Sequence, residues 1–117
     1  MASRNTTADL LDDDPRASDR VPASKRVRYE IAGGACGEGL CWNLSRGGAC
    51  LNLASTQPVA GDGAMVELAF EGASFALPAR IVWVKEIGPL RRMGLVFHEL
   101  TEEQRALVED LLRKLTA

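Results

Sequence analysis

Five residues in two short segments suit the binding of an anionic, planar ligand. Arg16 and Arg20 lie four positions apart, so one stretch of chain can present both guanidinium groups to a single ligand. Arginine pairs bidentately with phosphate oxygens or with guanine O6 and N7, and it also stacks on bases. Asn43 and Ser45 add short amide and hydroxyl groups, and Gly48 leaves the main chain open to close approach. Such a set can recognise phosphate and base groups.

Each segment also has a simpler interpretation. Arg16 and Arg20 can be solvated charges in a polar tail. Asn43, Ser45 and Gly48 can form an ordinary hairpin turn, because Asn, Ser and Gly are common turn formers. Taken alone, neither segment therefore distinguishes a binding site from these simpler roles.

The elements that would position these residues are mostly strands. Val27, Tyr29 and Ile31 alternate with charged residues, which is the pattern of a half-buried strand. Similar short segments follow, so that six strands are expected in all: 25–31, 37–44, 49–53, 65–70, 75–83 and 91–97. Six short strands without interleaved helices predict a mostly β fold, a six-stranded antiparallel β-barrel.

The fifth expected strand has one irregular position. Pro78 cannot donate a hydrogen bond to a ladder, so we expect a bulge or a sheet edge there. The period-two pattern directs five apolar residues of this strand to one face: Phe75, Leu77, Ala79, Ile81 and Trp83.

A helix over residues 101–115 is predicted at the end of the chain. Thr101 and Gln104 have the spacing of a capping box, in which each side chain bonds the other residue's backbone N–H. An apolar stripe at spacings of three and four predicts that the helix packs on the barrel; its members are Leu107, Val108, Leu111, Leu112 and Leu115.

The arginine pair, followed by Val21-Pro22, and the Asn43-x-Ser45-x-x-Gly48 turn together resemble the signature of the PilZ domain, a bacterial receptor for cyclic di-GMP. Asn at the first position of the turn, in place of Asp, is a variant that the family pattern accepts. Ile81-Val82-Trp83-Val84 and Met93-Gly94-Leu95-Val96-Phe97 are further similarities.

The resemblance extends over roughly residues 15 to 115 and implies a PilZ-like split barrel with a C-terminal α-helix and a flexible N-terminal arm. It divides the chain into a disordered tail, 1–14, and a domain, 15–117. Within the domain, the arm, barrel and helix are expected at 15–24, 25–98 and 101–115.

The resemblance also implies a function. Cyclic di-GMP would be the ligand, held by Arg16, Arg20, Asn43, Ser45 and Gly48. The receptor would change conformation on binding and act on an effector protein, of unknown identity, in trans. The alternative is a divergent PilZ-like adaptor that binds proteins and no nucleotide. The acidic run at 12–14 favours this alternative, because its carboxylates would repel the phosphates of the ligand.

Composition and charge restrict the remaining possibilities. The 117 residues suffice for one domain, and a net charge of −2 argues against a nucleic-acid binder, which normally has a basic face. No apolar run approaches the roughly 18–20 residues that span a bilayer, so we expect no membrane insertion. Because the first residues also lack the apolar core of a signal peptide, we expect a cytoplasmic protein.

Neither a metal site nor an enzyme is predicted. Cys36, Cys41 and Cys50 lack the paired spacing of structural zinc ligands, and His98 is the sole histidine. No nucleophile has a recognisable base, and nothing places His98 near Cys41. We therefore expect three free thiols, no catalytic residue, no metal and no cofactor.

Overall fold

The computed structural model describes residues 21–116. Arg16 and Arg20 lie outside these residues, as do the expected tail, 1–14, and the rest of the arm up to residue 20. The strands are β1 (Val21–Pro22), β2 (Arg26–Ile31), β3 (Cys36–Leu44), β4 (Gly48–Ala54), β5 (Met65–Phe70), β6 (Leu77–Ile87) and β7 (Leu90–Phe97). The single helix of this part of the chain, α1, spans Glu102–Thr116.

The strands close into a barrel. All neighbours are antiparallel, in the order β2, β5, β6, β7, β4 and β3, and β3 returns to pair with β2. Strand β1 adds to the outer edge of this ring by pairing with the end of β3. The predicted six-stranded antiparallel barrel is therefore confirmed, and β1 is a seventh, two-residue strand that the sequence pattern did not indicate.

Alternate residues along the strands point inward and fill the barrel interior. Val27, Tyr29 and Ile31 are buried while the residues between them are exposed, as the sequence predicted. The inward residues of the other strands complete one apolar core, of which Leu51, Leu68 and other fully buried side chains form the centre. Burying each such side chain contributes roughly 1.5–3 kcal/mol to the free energy of unfolding.

Helix α1 begins with the expected capping box. The Thr101 N–H donates to Gln104 Oε1 at 2.8 Å, and the Gln104 N–H donates to Thr101 Oγ1 at 3.1 Å. Val108 and Leu111 are buried in the barrel core, and the rest of the stripe packs beside them. The prediction that the stripe covers the barrel is therefore confirmed.

Two bulges change the phase of the strands. The ladder between β3 and β4 slips at Trp42, and the ladder between β6 and β7 slips at Val82. Each extra residue reverses the faces of the residues that follow it. Trp83 consequently points away from the core, although the pattern predicted that it would face inward together with Ile81.

Two other predictions for β6 were wrong. Phe75 precedes the strand and is exposed, because β6 begins at Leu77. The ladder has no irregularity at Pro78, which lies in regular register opposite Glu67. The Pro78 carbonyl accepts a hydrogen bond from the His98 backbone N–H at 3.0 Å. The proline therefore still takes part in the sheet as an acceptor, although it has no N–H to donate.

Candidate ligand-binding site

The connection between β3 and β4 is held by its own serine. The Ser45 backbone N–H donates to the Gly48 carbonyl at 2.9 Å, and Ser45 Oγ accepts from the Gly47 N–H at 3.2 Å. The hydroxyl also lies 3.4 Å from the Gly48 carbonyl oxygen, to which it donates. Ser45 is the one buried polar side chain among residues 21–116, with 7% of its surface exposed. Its observed role is to fix the shape of the turn.

Gly48 is required by the neighbouring strand. A Cβ atom placed on Gly48 would overlap the Leu95 carbonyl oxygen of β7 and would crowd Val96. The space that a side chain would need is therefore filled by the β7 backbone. This packing explains the glycine without a ligand, and contact between Gly48 and a ligand stays a prediction.

Asn43 lies where the end of the expected arm joins the barrel. In the ladder between β1 and β3, Val21 is opposite Leu44 and Pro22 is opposite Asn43. The Ala23 N–H extends this ladder by donating to the Trp42 carbonyl at 3.0 Å. Asn43 is half-buried, and no hydrogen bond of its side chain is present within residues 21–116. The amide is thus available beside the point where the arm arrives.

Four residues form one row across the outside of the barrel, which we call the platform. Asn43 of β3 is opposite Cys50 of β4, Cys50 is opposite Gly94 of β7, and Gly94 is opposite Trp83 of β6. Cys50 is buried but points away from the core, because Ala49 and Leu51 on either side of it point inward. The platform therefore has two small, buried residues, Cys50 and Gly94, between an amide and an indole.

The indole of Trp83 is fitted closely to Gly94. A Cβ atom on Gly94 would overlap the Trp83 ring, so the ring occupies the space that the glycine leaves. Trp83 Nε1 is buried and has no hydrogen-bond partner within residues 21–116. An unpaired buried donor costs roughly 1–3 kcal/mol, and a ligand that supplies an acceptor would recover that free energy.

Sequence reasoning did not assign Trp83 or Gly94 to the site. Both lie in segments that resemble the PilZ pattern, but alternation placed Trp83 in the core. The bulge at Val82, which turns Trp83 outward, leaves no mark in the pattern of apolar and polar residues. Trp83 is opposite Gly94 on the neighbouring strand, and this pairing, which would have indicated that the ring lies over the glycine, is known only once the strand register is known.

The charges around the turn are engaged with the helix. Arg46 Nε lies 2.9 Å from Glu109 Oε2, and both side chains are more than half exposed. An ion pair this exposed contributes at most about 1 kcal/mol to stability. It nevertheless connects the turn that carries Asn43 and Ser45 to α1.

Cys41, beneath the turn, is unsuited to nucleophilic chemistry. Burial raises the pKa of its thiol to about 12, and the nearby Cys50 acts in the same direction. The thiol donates to the Asn43 carbonyl at 3.1 Å. Since the thiolate is the reactive form, Cys41 stays protonated and inert at neutral pH.

Residues 21–116 contain neither a metal-ligand cluster nor a helix that could span a membrane. In this part of the chain no three His, Cys, Asp or Glu side chains cluster as a metal site would require. None of its helices has the length and apolar character needed to cross a bilayer.

A comparison with protein families gives a match to the PilZ domain over residues 14–114 of this chain. A search of curated proteins finds no match. The solved structures that resemble the chain include the PilZ domain of CeSA from a cellulose-synthesizing bacterium, which is 25% identical with a TM-score of 0.66. That alignment covers 84% of this chain and 98% of the CeSA domain.

Two further structures share the fold and contain cyclic di-GMP. The PilZ domain of Escherichia coli YcgR has a TM-score of 0.70 at 15% identity, with 83% of this chain and 88% of that one covered. The K. pneumonia MrkH complex has a TM-score of 0.68 at 14% identity, with 83% of this chain and 50% of MrkH covered. This chain thus spans about half of MrkH.

Proposed function

The chain belongs to the PilZ domain family, and from that premise we propose that it is a cytoplasmic cyclic di-GMP receptor without catalytic activity. The ligand would be held between the arm, through Arg16 and Arg20, and the turn that contains Asn43, Ser45 and Gly48. The bound domain would change conformation and act in trans on an effector protein. No cofactor is involved in this proposal.

One observation carries the proposal: β1 pairs with the two residues that begin the turn. Because Val21 is opposite Leu44 and a peptide bond joins Arg20 to Val21, the arginine pair is attached beside Asn43. The arm thus joins the barrel next to Asn43, and this supports a site that both halves of the sequence signature share. A polar tail and an unrelated hairpin turn would have no reason to share a ladder.

The platform supports a nucleotide as the ligand. Gly94 lets the Trp83 ring lie over the strand, so the row has an indole at one end and the Asn43 amide at the other. The Asn43 amide can both donate and accept, as a guanine edge requires. We propose that Trp83 Nε1 donates to the same ligand. Ser45 would act by fixing the turn.

The second candidate function is a protein-binding adaptor that does not bind nucleotide. The acidic residues Asp12, Asp13 and Asp14 favour it, since they precede Arg16 directly and oppose a ligand with two phosphates. The intact arginine pair and turn favour the receptor.

Isothermal titration of the full chain with cyclic di-GMP decides between them, with cyclic di-AMP as the matched control. The receptor predicts saturable heat with the guanine nucleotide and much weaker binding of the adenine nucleotide, because the Asn43 contact reads the base edge. Equal binding of both nucleotides would mean that the site recognises the phosphates and not the bases. The absence of binding to either would favour the adaptor.

A further inference from the structure

One face of the barrel carries most of the exposed large apolar side chains. Among residues 21–116, five such side chains are exposed, and only Phe75 lies elsewhere. The other four lie on the outside of β3, β6 and β7: Leu40 (50% exposed), Trp42 (45%), Ile87 (39%) and Leu90 (42%). Scattered apolar residues are ordinary on protein surfaces, but a concentration on one face marks an interaction site.

The register shows that this face is continuous. Leu40 is opposite Asn52, Asn52 is opposite Arg92, and Arg92 is opposite Lys85. The next row toward the hairpin tip has Leu90 opposite both Ala54 and Ile87. We call Leu40, Trp42, Arg92, Lys85, Ile87 and Leu90 the outer patch. It adjoins the platform without containing any of the platform residues.

The two cations of the outer patch are held in place but are not neutralised. Arg92 Nε donates to Asn52 Oδ1 at 2.9 Å, and its guanidinium lies 3.8 Å from the centre of the Trp42 ring. Lys85 Nζ lies 5.4 Å from the centre of the Trp83 ring. Within residues 21–116, neither cation has a carboxylate at ion-pair distance. The patch therefore suits a segment with apolar and acidic side chains together.

We propose that the occupant of the outer patch is the segment Leu10-Leu11-Asp12-Asp13-Asp14 of the same chain. Its two leucines would cover Leu40 and Trp42, and its three carboxylates would pair with Arg92 and Lys85. This assigns a binding partner to the acidic run, which the proposed nucleotide site does not use.

The segment can reach the patch. Asp14 is seven positions before Val21, so an extended chain spans up to roughly 23–25 Å between them. Val21 is anchored opposite Leu44, on the same strand as Leu40. From β3 to β6 the patch crosses three strand spacings, about 14–15 Å. Leu40 lies four positions from Leu44, about 13 Å along β3, so the extended linker reaches across the patch as far as Lys85.

A tethered segment is favoured over a second copy or another protein. A short linker gives an effective concentration on the order of millimolar, so contacts too weak for a free partner suffice in the same chain. Individual exposed charge pairs are weak, which fits such a reversible contact.

The test compares amide spectra, recorded by NMR without nucleotide, of the full chain and of the D12N/D13N/D14N variant. We expect the largest chemical-shift differences between the two proteins in residues 40–42, 85–92 and the Trp42 indole. These differences should disappear at high salt, which screens the charge pairs. The R92Q/K85Q variant should shift the amides of residues 10–14 in return. The E102Q/E103Q variant, which removes exposed charges on α1, is the matched control and should leave the outer patch unchanged.

Three outcomes would overturn the proposal. Shifts confined to residues near 12–14 would show that the segment does not touch the patch. Shifts centred on another surface would place the segment elsewhere. If the resonances of the patch move with protein concentration in the wild type and equally in the D12N/D13N/D14N variant, a second copy is the occupant.

Discussion

Pro22 lies directly opposite Asn43 in the short ladder between β1 and β3. This pairing joins two segments that are separated by about twenty residues in the sequence. The same β1 strand also contacts α1, which in turn bonds the turn through Arg46 and Glu109. Arm, turn and helix therefore meet at one side of the barrel, and a ligand held there would affect all three.

The arginine pair should be needed for binding and dispensable for folding. We expect Arg16→Ala or Arg20→Ala to abolish measurable binding of cyclic di-GMP by calorimetry, since each loses charge-assisted hydrogen bonds of roughly 1.5–3 kcal/mol. The free energy of unfolding should change by less than about 0.5 kcal/mol. Arg105→Ala, which removes an exposed charge from α1, is the control. A large loss of stability in either arm variant would show a structural role instead.

Gly48 should be needed for the stability of the folded barrel. In Gly48→Ala the new methyl group would overlap the Leu95 carbonyl, and relieving that overlap requires β4 and β7 to separate. We expect the free energy of unfolding, measured with urea, to fall by roughly 1–3 kcal/mol or more. Gly61→Ala is the matched control, because its Cβ would meet open space at an ordinary φ. Equal stability of the two variants would contradict the packing described above.

Trp83→Phe should separate ligand binding from folding. The Nε1 donor, which has no partner within residues 21–116, is removed together with the indole edge that lies over Gly94. In the folded protein the packing lost at Gly94 is offset by removal of the unpaired donor. We expect weaker cyclic di-GMP binding by roughly tenfold, the effect of one hydrogen bond of about 1.5 kcal/mol. Thermal stability without ligand should change little. Unchanged affinity in a folded variant would exclude the indole N–H from the site.

Stability should fall in alkaline solution through Cys41. The pKa of its thiol rises from 9.0 to about 12 in the folded protein because of burial. Between these values the unfolded chain releases a proton that the native state keeps, so unfolding is favoured as pH rises above about 9. One such group lowers the free energy of unfolding by about 1.4 kcal/mol per pH unit.

Urea unfolding across this range should show a shallower pH dependence in Cys41→Ala than in the wild type. Cys36→Ala, which removes an exposed thiol, is the control and should keep the wild-type slope. Tyr29, whose pKa burial likewise raises to about 12, should add to the slope above about pH 10 in all three proteins. Identical slopes for Cys41→Ala and wild type would refute the assignment.

The barrel could be predicted because burial repeats along it. The inward face of β2 is predicted by the alternation of Val27, Tyr29 and Ile31 with charged residues. The start of the helix is predicted by its capping residues, Thr101 and Gln104. Such signals are local, and each is set by a single period or a single pair of residues.

The details of the site could not be predicted in the same way. Bulges at Trp42 and Val82 shift the phase of a strand without changing its composition, so Trp83 was assigned to the wrong face. Strand β1 has only two residues and no period to detect. Ser45 lies in the connection between two strands, as expected, whereas Asn43 and Gly48 belong to the strands on either side. The packing reasons for Ser45 and Gly48 depend on β7 and on hydrogen bonds that only the folded chain forms.

Amide hydrogen exchange with and without saturating cyclic di-GMP tests the central claim most directly, that the arm and the turn bind one nucleotide together. Ordering the arm against the barrel slows exchange of its backbone N–H groups. We predict strong protection on binding in residues 16–23, together with the turn 43–48, and little change in the strands distant from them. Unchanged exchange in residues 16–23 at saturating nucleotide would contradict the claim, even where binding itself is observed.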